Sequence, residues 1–199
     1  MAQHYYSENP TTKSEPFTFT YKLGNHNFFF TSDAGVFSKK EIDFGTRLLL
    51  ETVTIDDHAK KMLDVGCGYG PIGMYFAYFY PNLSVDMLDI NIRAVELTKK
   101  NLQDNQMKHV RVFQSNLLDA VLDERYDLIV SNPPIRTGKE NIFRLYEQAY
   151  EALNSGGSLW IVIQKKQGAP STMRKLEEMF KEVEVVAKKK GYFIIQAKK

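Results

Sequence analysis

Cysteine is almost missing: Cys67 is the only one in 199 residues, so no internal disulfide can staple the fold. Long apolar runs are missing too. The longest block, Met74 to Tyr80, is far too short for a bilayer span, which takes about 20 residues. The start, MAQHYYSENP, has no apolar stretch behind a basic beginning, so no signal peptide is expected. There is no internal repeat and no low-complexity tract. No cluster of histidine, cysteine and acidic residues has metal-ligand spacing, so no metal is expected. The net charge is only +2 and selects no partner. What is present is ordinary globular composition, 43% hydrophobic and 25% charged with 12 glycines and 7 prolines, which argues against a disordered or collagen-like chain. A chain of this length buries a core of its own. The expectation is a soluble, cytoplasmic protein without a membrane partner.

The distribution of charge says more than its sum. Residues 1–99 carry 9 basic and 12 acidic side chains, and residues 100–199 carry 17 and 12. The basic excess includes Lys165-Lys166, Arg174-Lys175 and Lys188-Lys189-Lys190. Such runs are either solvated faces or, if they share a face with a reactive site, a phosphate-steering surface.

Residues 1–16 read as a polar arm. Phe17, Phe19, Tyr21 and Leu23 then alternate with Thr18, Thr20 and Lys22, which is strand period. Gly24-Asn25 predicts a type II′ hairpin into 26–31, and 41–54 reads as helix. From residue 61 strands and helices alternate. Strands are expected at 61–65, 84–89, 110–114, 126–131 and 158–164, and helices at 71–80, 91–104, 140–153 and 171–181. Asn154 to Gly157 should stop the third of these helices from continuing. The link between 183–187 and 192–197 is too short for a parallel crossover, so those strands should form an antiparallel hairpin. The expected fold is α/β: a doubly wound, mostly parallel seven-stranded sheet with an antiparallel C-terminal hairpin and an N-terminal β-hairpin extension. We divide it into an arm (1–16), a hairpin and helix covering the site (17–60), and a catalytic domain (61–199). Ligands should bind beyond the C-terminal strand ends, after Val65, Asp89, Gln114 and Ser131.

After the first of these strands comes Asp64-Val65-Gly66-Cys67-Gly68-Tyr69-Gly70-Pro71-Ile72-Gly73. Glycines at 66, 68 and 70 permit close backbone approach to a ligand. Counted from Gly66, the sixth position of a dinucleotide Gly-x-Gly-x-x-Gly motif is Pro71, so that register fails. The acid at Asp64 suits a cationic ligand better than a pyrophosphate. Asp89 ends the next strand, placed to accept two ribose hydroxyls. An acid, a glycine turn and a ribose acid together resemble the S-adenosylmethionine pocket of class I methyltransferases. The resemblance implies that Asp64, Gly66, Gly68 and Gly70 hold the methionyl part and Asp89 the ribose. Asn91 suits either a helix N-cap or an adenine contact, and Asn116 lies where that family often contacts adenine. Cys67 reads as a small packing residue.

Asn132-Pro133-Pro134-Ile135 follows the 126–131 strand directly. Paired prolines alone would mark a turn. In this position the tetrapeptide resembles the Asn-Pro-Pro-aromatic motif of methyltransferases acting on exocyclic or amide nitrogens. An amine conjugated to a base ring is a poor nucleophile. The Asn132 side-chain oxygen and the Pro133 carbonyl can accept both its N–H bonds, turn its lone pair toward the methyl, and stabilise the charge that develops. The prolines hold the acceptors rigid. Ile135 stands where an aromatic is usual and would pack on a base by apolar contact. Arg136 and Lys139 could contact a phosphate or base edge, or be solvated loop charges.

With Gly35-Val36-Phe37-Ser38 and Asp43-Phe44-Gly45-Thr46 added to these motifs, residues 17–199 resemble the small-domain family of bacterial ribosomal RNA guanine-N2 methyltransferases. The resemblance implies N2 methylation of a guanine in small-subunit (16S) rRNA, free or in an assembly particle. It also implies Phe37 near the cofactor, with core packing as its other reading. Well-studied members of that family carry a second, cofactor-less copy of the domain in front. Other readings of the same motifs are a protein glutamine-amide methyltransferase, a small-molecule N-methyltransferase and a non-catalytic binding module.

Overall fold

The alternating segment at residues 17–31 becomes a hairpin. β1 (Phe17–Leu23) pairs antiparallel with β2 (His26–Ser32), Leu23 opposite His26. Of the two loop residues only Gly24 has positive φ, +58°, as a type II′ turn requires. The structure, a computed structural model, describes residue 8, residues 12–36 and residues 41–199, apart from the side chain of Arg136. Most of the expected arm and Phe37 therefore lie outside the described residues.

After α1 (Phe44–Thr52) the alternation runs β3 (Lys61–Val65), α2 (Pro71–Phe79), β4 (Ser84–Asp89), α3 (Ile92–Asp104), β5 (Val110–Gln114), β6 (Tyr126–Ser131), α4 (Lys139–Ala152), β7 (Leu153–Gln164), α5 (Ala169–Glu177), β8 (Glu182–Lys189) and β9 (Tyr192–Lys198). The sheet order is β5-β4-β3-β6-β7-β9-β8. β3 to β7 are mutually parallel, and β9 lies antiparallel between β7 and β8. This is the expected α/β sheet. Strand order reverses between β3 and β6, so a crevice opens beyond their C-terminal ends. On β6, Leu128 and Val130 join one apolar cluster and Ile129 the other, on the opposite face, which is why its sequence is continuously apolar.

Three of the boundaries that differ from expectation have a clear physical reason. α1 begins at Phe44 because Asp43 caps it, accepting from the Gly45 and Thr46 amides at 2.9 and 3.1 Å. Asn154–Gly157 belongs to β7 as a bulge, since pairing jumps from Tyr126–Leu153 to Leu128–Ser158. The backbone of Lys199 closes that bulge through Gly156 N and Gly157 O. α5 starts at Ala169, straight after Gly168 at φ +110°, rather than at residue 171.

The hairpin is fastened to the main body by amides. On α3, Asn101 and Asn105 share a face. Asn101 Oδ1 accepts from Thr31 N at 2.7 Å while its Nδ2 donates to Thr31 O and to Tyr69 O at 2.9 and 2.8 Å. Asn105 pairs in the same way with Phe29, at 3.0 and 2.7 Å. The two side chains imitate a neighbouring strand and satisfy part of the β2 edge. Leu23, Phe28 and Phe30 pack in the same cluster as Ile72, Met74 and Phe76.

Asn101 is fully buried, whereas the Asn105 bonds are exposed. Asn101→Leu would strand three buried backbone groups and should cost about 3 kcal/mol of unfolding free energy, against about 1 kcal/mol for Asn105→Ala. Urea unfolding measures both, and equal losses would contradict this account.

Candidate active site

Past β3 the backbone turns sharply. Gly66 N and Cys67 N both donate to Leu88 O, at 2.8 and 2.9 Å, and Thr98 Oγ1 donates to Gly68 O at 2.8 Å. The glycines serve different ends. A Cβ on Gly68 (φ +60°) would meet nothing within 4 Å, and one on Gly66 only Pro134 Cδ at 4.0 Å. Both face a cleft of about 250 Å³ and keep it open. A Cβ on Gly73 would lie 2.6 Å from the Met87 side chain, so that glycine lets α2 press against β4.

Two acids stand at this turn. Asp89 lines the cleft and accepts from Gly68 N and Asn91 N at 2.8 and 2.9 Å, one amide per oxygen. Each oxygen retains a lone pair for a vicinal diol. Burial pushes its carboxyl up to about 6, against the Asn91 and Gly68 amides that favour the charge. Asp64 is wholly buried beneath the turn. Its Oδ2 accepts from Gly73 N at 2.9 Å and its Oδ1 has no partner. Burial, with the Asp89 charge as a lesser cause, raises it to about 7. Among the described side chains lining the cleft there is no lysine or arginine. A positive ligand would supply the missing charge, and a pyrophosphate would be repelled.

The opposite wall begins where β6 ends. Ser131 Oγ donates to Val65 O at 2.7 Å, tying the two strand ends together. Asn132 then meets the N-terminus of α1. Thr46 Oγ1 donates to Asp43 Oδ2 at 2.5 Å. A hydroxyl has one proton, so toward Asn132 it can only accept. The Asn132 amide accordingly turns Nδ2 to Thr46 Oγ1 (2.9 Å) and Asp43 Oδ2 (3.4 Å). Oδ1 is left to accept from the cleft. The Pro134 carbonyl is taken by Thr137 N and Oγ1, at 2.9 and 2.8 Å. Among the described residues nothing donates to the Pro133 carbonyl. Asn132 Oδ1 and the Pro133 carbonyl are thus two acceptors on cleft-lining residues with no donor among the described residues.

The cleft brings together Gly66, Gly68, Asp89, Asn91, Asn116, Asn132, Pro133 and Pro134 from the residues singled out by sequence. Four others stand elsewhere. Asp64 and Gly70 do not line it. Asp64 acts from below, and Gly70 (φ +100°) starts α2, where a Cβ would press on Thr98 and Met74. Ile135 does not line the cleft either; it is half-buried and packs against the apolar cluster under α4. Lys139 is exposed, its ammonium 5.0 Å from the Phe143 ring centre, and does not reach the cleft. Arg136 and Phe37 lie outside the described side chains. Asn91 caps α3, accepting from Arg93 N at 2.9 Å, while its Nδ2 donates to Gly35 O at 3.1 Å. Asp43 and Thr46 were not singled out as site residues. Their signal was the spacing of an N-cap, which does not say that the cap faces a cleft. Burial holds the Cys67 thiol well above its usual range, which suits packing.

Comparison with known proteins adds to this geometry. The family model "Methyltransferase small domain" matches residues 27–196. A Bacillus subtilis relative, "Uncharacterized protein YbxB", is 50% identical over the whole length of both chains. "Ribosomal RNA small subunit methyltransferase C" of Actinobacillus pleuropneumoniae is 34% identical over 95% of this chain and 57% of its own. This chain thus spans little more than half the length of that relative. A T. thermophilus 16S rRNA N2 G1207 methyltransferase (RsmC), solved with AdoMet and guanosine, superposes with a TM-score of 0.82 at 24% identity, covering 96% of this chain and 52% of that one. At that identity it speaks for the fold.

The pH behaviour of Asp64 follows from its burial. An unfolded carboxyl titrates near 4 and the folded one near 7, so the folded state holds the proton more tightly. The stability this carboxyl contributes to the ligand-free protein is fully present below the unfolded value and is lost as pH rises through 7. At about 1.4 kcal/mol per unit the loss is roughly 4 kcal/mol at most. Asp64→Asn should remove most of it, so unfolding free energies at pH 5 and pH 8 should differ less in the variant than in wild type. An unchanged difference would place the buried charge elsewhere.

Proposed function

The chain belongs to the methyltransferase small domain family, and from that premise we propose that it transfers a methyl group from S-adenosylmethionine to the N2 amine of a guanine in small-subunit ribosomal RNA. The site's own chemistry suits this cofactor. It asks for a cation, and it has an acid with spare lone pairs for a ribose diol. The unpartnered Asp64 oxygen and the open side of Gly68 fit a charged amino-acid group laid against the glycine turn. When bound, the cofactor supplies an electrophilic methyl on a sulfonium.

The residues of this chain do the rest. Asp89 would hold the ribose hydroxyls and so fix the position of the reactive carbon. Asn132 Oδ1 and the Pro133 carbonyl would accept the two N–H bonds of the amine. Held this way, the nitrogen turns its lone pair across the cleft and gains stabilisation as it becomes positive. Alignment removes much of the remaining barrier. No side chain needs to act as base, since the product nitrogen is acidic enough to release its proton to water. The observation that carries the reading is the forced orientation of the Asn132 amide. Ribosomal RNA is favoured as substrate by the Actinobacillus relative, whose name states that class, and by the excess of cations in the second half of the chain.

The test is transfer of labelled methyl into 30S particles and naked 16S rRNA, with nucleoside mass mapping for N2-methylguanosine. Label found only in protein would overturn the reading. Asn132→Ala should lower turnover about a hundredfold with the dissociation constant for S-adenosylmethionine within about twofold of wild type. Thr46→Val keeps the shape but frees the amide to rotate, and should lower kcat by roughly tenfold, a barrier change of about 1.4 kcal/mol. Thr46→Ser should restore it. If cofactor binding fell in parallel with turnover, Asn132 would belong to the cofactor side.

A further inference from the structure

Five lysines stand together where two chain reversals meet. Lys165 and Lys166 follow β7, Lys188 and Lys189 end β8, and Lys190 opens the turn to β9. All five are exposed. Lys165 N donates to Gly191 O at 2.8 Å, which joins the two segments. Elsewhere several surface lysines are answered: Lys61, Lys99, Lys100, Lys175 and Lys198 each pair with a carboxylate. None of these five makes an ion pair among the described residues. Like charges repel one another, and among the described residues no carboxylate pairs with them.

The cluster lies beside the active site. β7 runs parallel to β6 with Ile161 opposite Ser131. Lys165 is therefore one strand over from Asn132 and farther out on the same edge. The turn also touches the cleft wall. Tyr192 packs on Phe44 with ring centres 5.4 Å apart, and Lys190 Nζ sits 4.9 Å from the Phe44 ring centre. Phe44 directly follows Asp43, which orients Asn132.

The turn itself carries a local conflict. Lys190 and Gly191 both have positive φ, +48° and +79°, as a type I′ turn demands. Asparagine or glycine is the comfortable residue at the first position, and lysine is not. A cation is kept where backbone sterics disfavour it.

We propose that Lys165, Lys166 and the Lys188–Lys190 turn form a phosphate-binding edge that holds the RNA backbone while one base enters the cleft. The proposal rests on the RNA reading above. It assigns the grip on RNA to this domain's own sheet edge. The lysines read charge and not sequence, so their contribution is to affinity and its salt dependence.

The experiment compares wild type with the variant Lys165→Gln, Lys166→Gln, Lys189→Gln, Lys190→Gln, using a 16S rRNA transcript as probe. Affinity is followed by fluorescence anisotropy from 50 to 300 mM KCl. S-adenosylmethionine binding by calorimetry reports that the variant is folded. The variant should bind the transcript at least about tenfold more weakly at 100 mM KCl. Its slope of log K against log salt should be shallower by about 2 or more, at 0.7–0.9 per lost phosphate contact. Lys190→Asn separates binding from folding. It should melt at the same or a higher temperature than wild type yet bind RNA more weakly, whereas a purely structural lysine would lower the melting temperature and leave RNA affinity unchanged. Wild-type affinity and slope in the fourfold variant, with wild type still methylating the transcript, would overturn the edge and leave the RNA reading standing. A wild-type protein that binds S-adenosylmethionine but neither binds nor methylates the transcript would overturn the RNA reading and the edge with it. The same holds if the label enters a ribosomal protein.

Discussion

A carboxylate at neutral pH accepts hydrogen bonds and cannot donate them, and the acceptor wall of the cleft takes its direction from that. Asp43 caps α1, where the helix dipole favours its negative charge. It collects the Gly45 and Thr46 amides and the Thr46 hydroxyl proton. Thr46 Oγ1 is left with lone pairs only, so the Asn132 amide must present Nδ2 to it. Polarity passes through three side chains without any of them moving. The same carboxylate thus sets the start of a helix and the direction in which the Asn132 amide is turned. Local structure and chemistry are one arrangement at this point.

The glycine-turn wall shows what such preorganisation costs. Asp64 and Asp89 are held above the ordinary carboxylate range by burial, and no lysine or arginine among the described side chains lines the cleft to relieve them. A protein built for stability alone would have placed an apolar residue at position 64 or paired it. The ligand-free site is a local conflict that a cation resolves, so binding free energy and folding free energy are coupled there. Functional sites are where departures from good packing are expected.

Much of the fold was legible because its signals are local. The alternation of Phe17 to Leu23, the Gly24-Asn25 loop and the continuous Leu128-Ile129-Val130 run each specify their element with little outside help. The β7 boundary shifted because it depends on a distant partner. Asn154–Gly157 reads as a stop until Lys199 returns to pair with it. The cleft residues Asp89, Asn132 and Pro133 were legible because position after a parallel strand fixes them at the crevice. The role of Thr46 was not, since a threonine in the first turn of a helix gives no sign in the sequence that it meets a residue 86 positions away. Ile135 misled for the opposite reason. Adjacency to Pro134 suggests the cleft, but in the short helical turn at 135–137 its half-buried side chain packs against the cluster beneath α4.

One electrostatic difficulty remains for any such enzyme acting on RNA. A cleft that attracts a cation must repel a polyanion, and Asp43 and Asp89 both face this one. The repulsion is screened over about 10 Å at 0.1 M salt, so it matters for groups that enter the cleft and little for groups that stay outside. A nucleobase is uncharged. If the backbone is held on a basic edge one strand away and a single base is turned inward, no phosphate has to approach the acids. The segregation seen here, with acids at the C-terminal ends of β3 and β4 and unpaired lysines beyond β7 and at the β8–β9 turn, meets that requirement. It follows that the sign of charge at each point on this sheet edge matters more than the net charge, which is why a total near neutrality selected no partner.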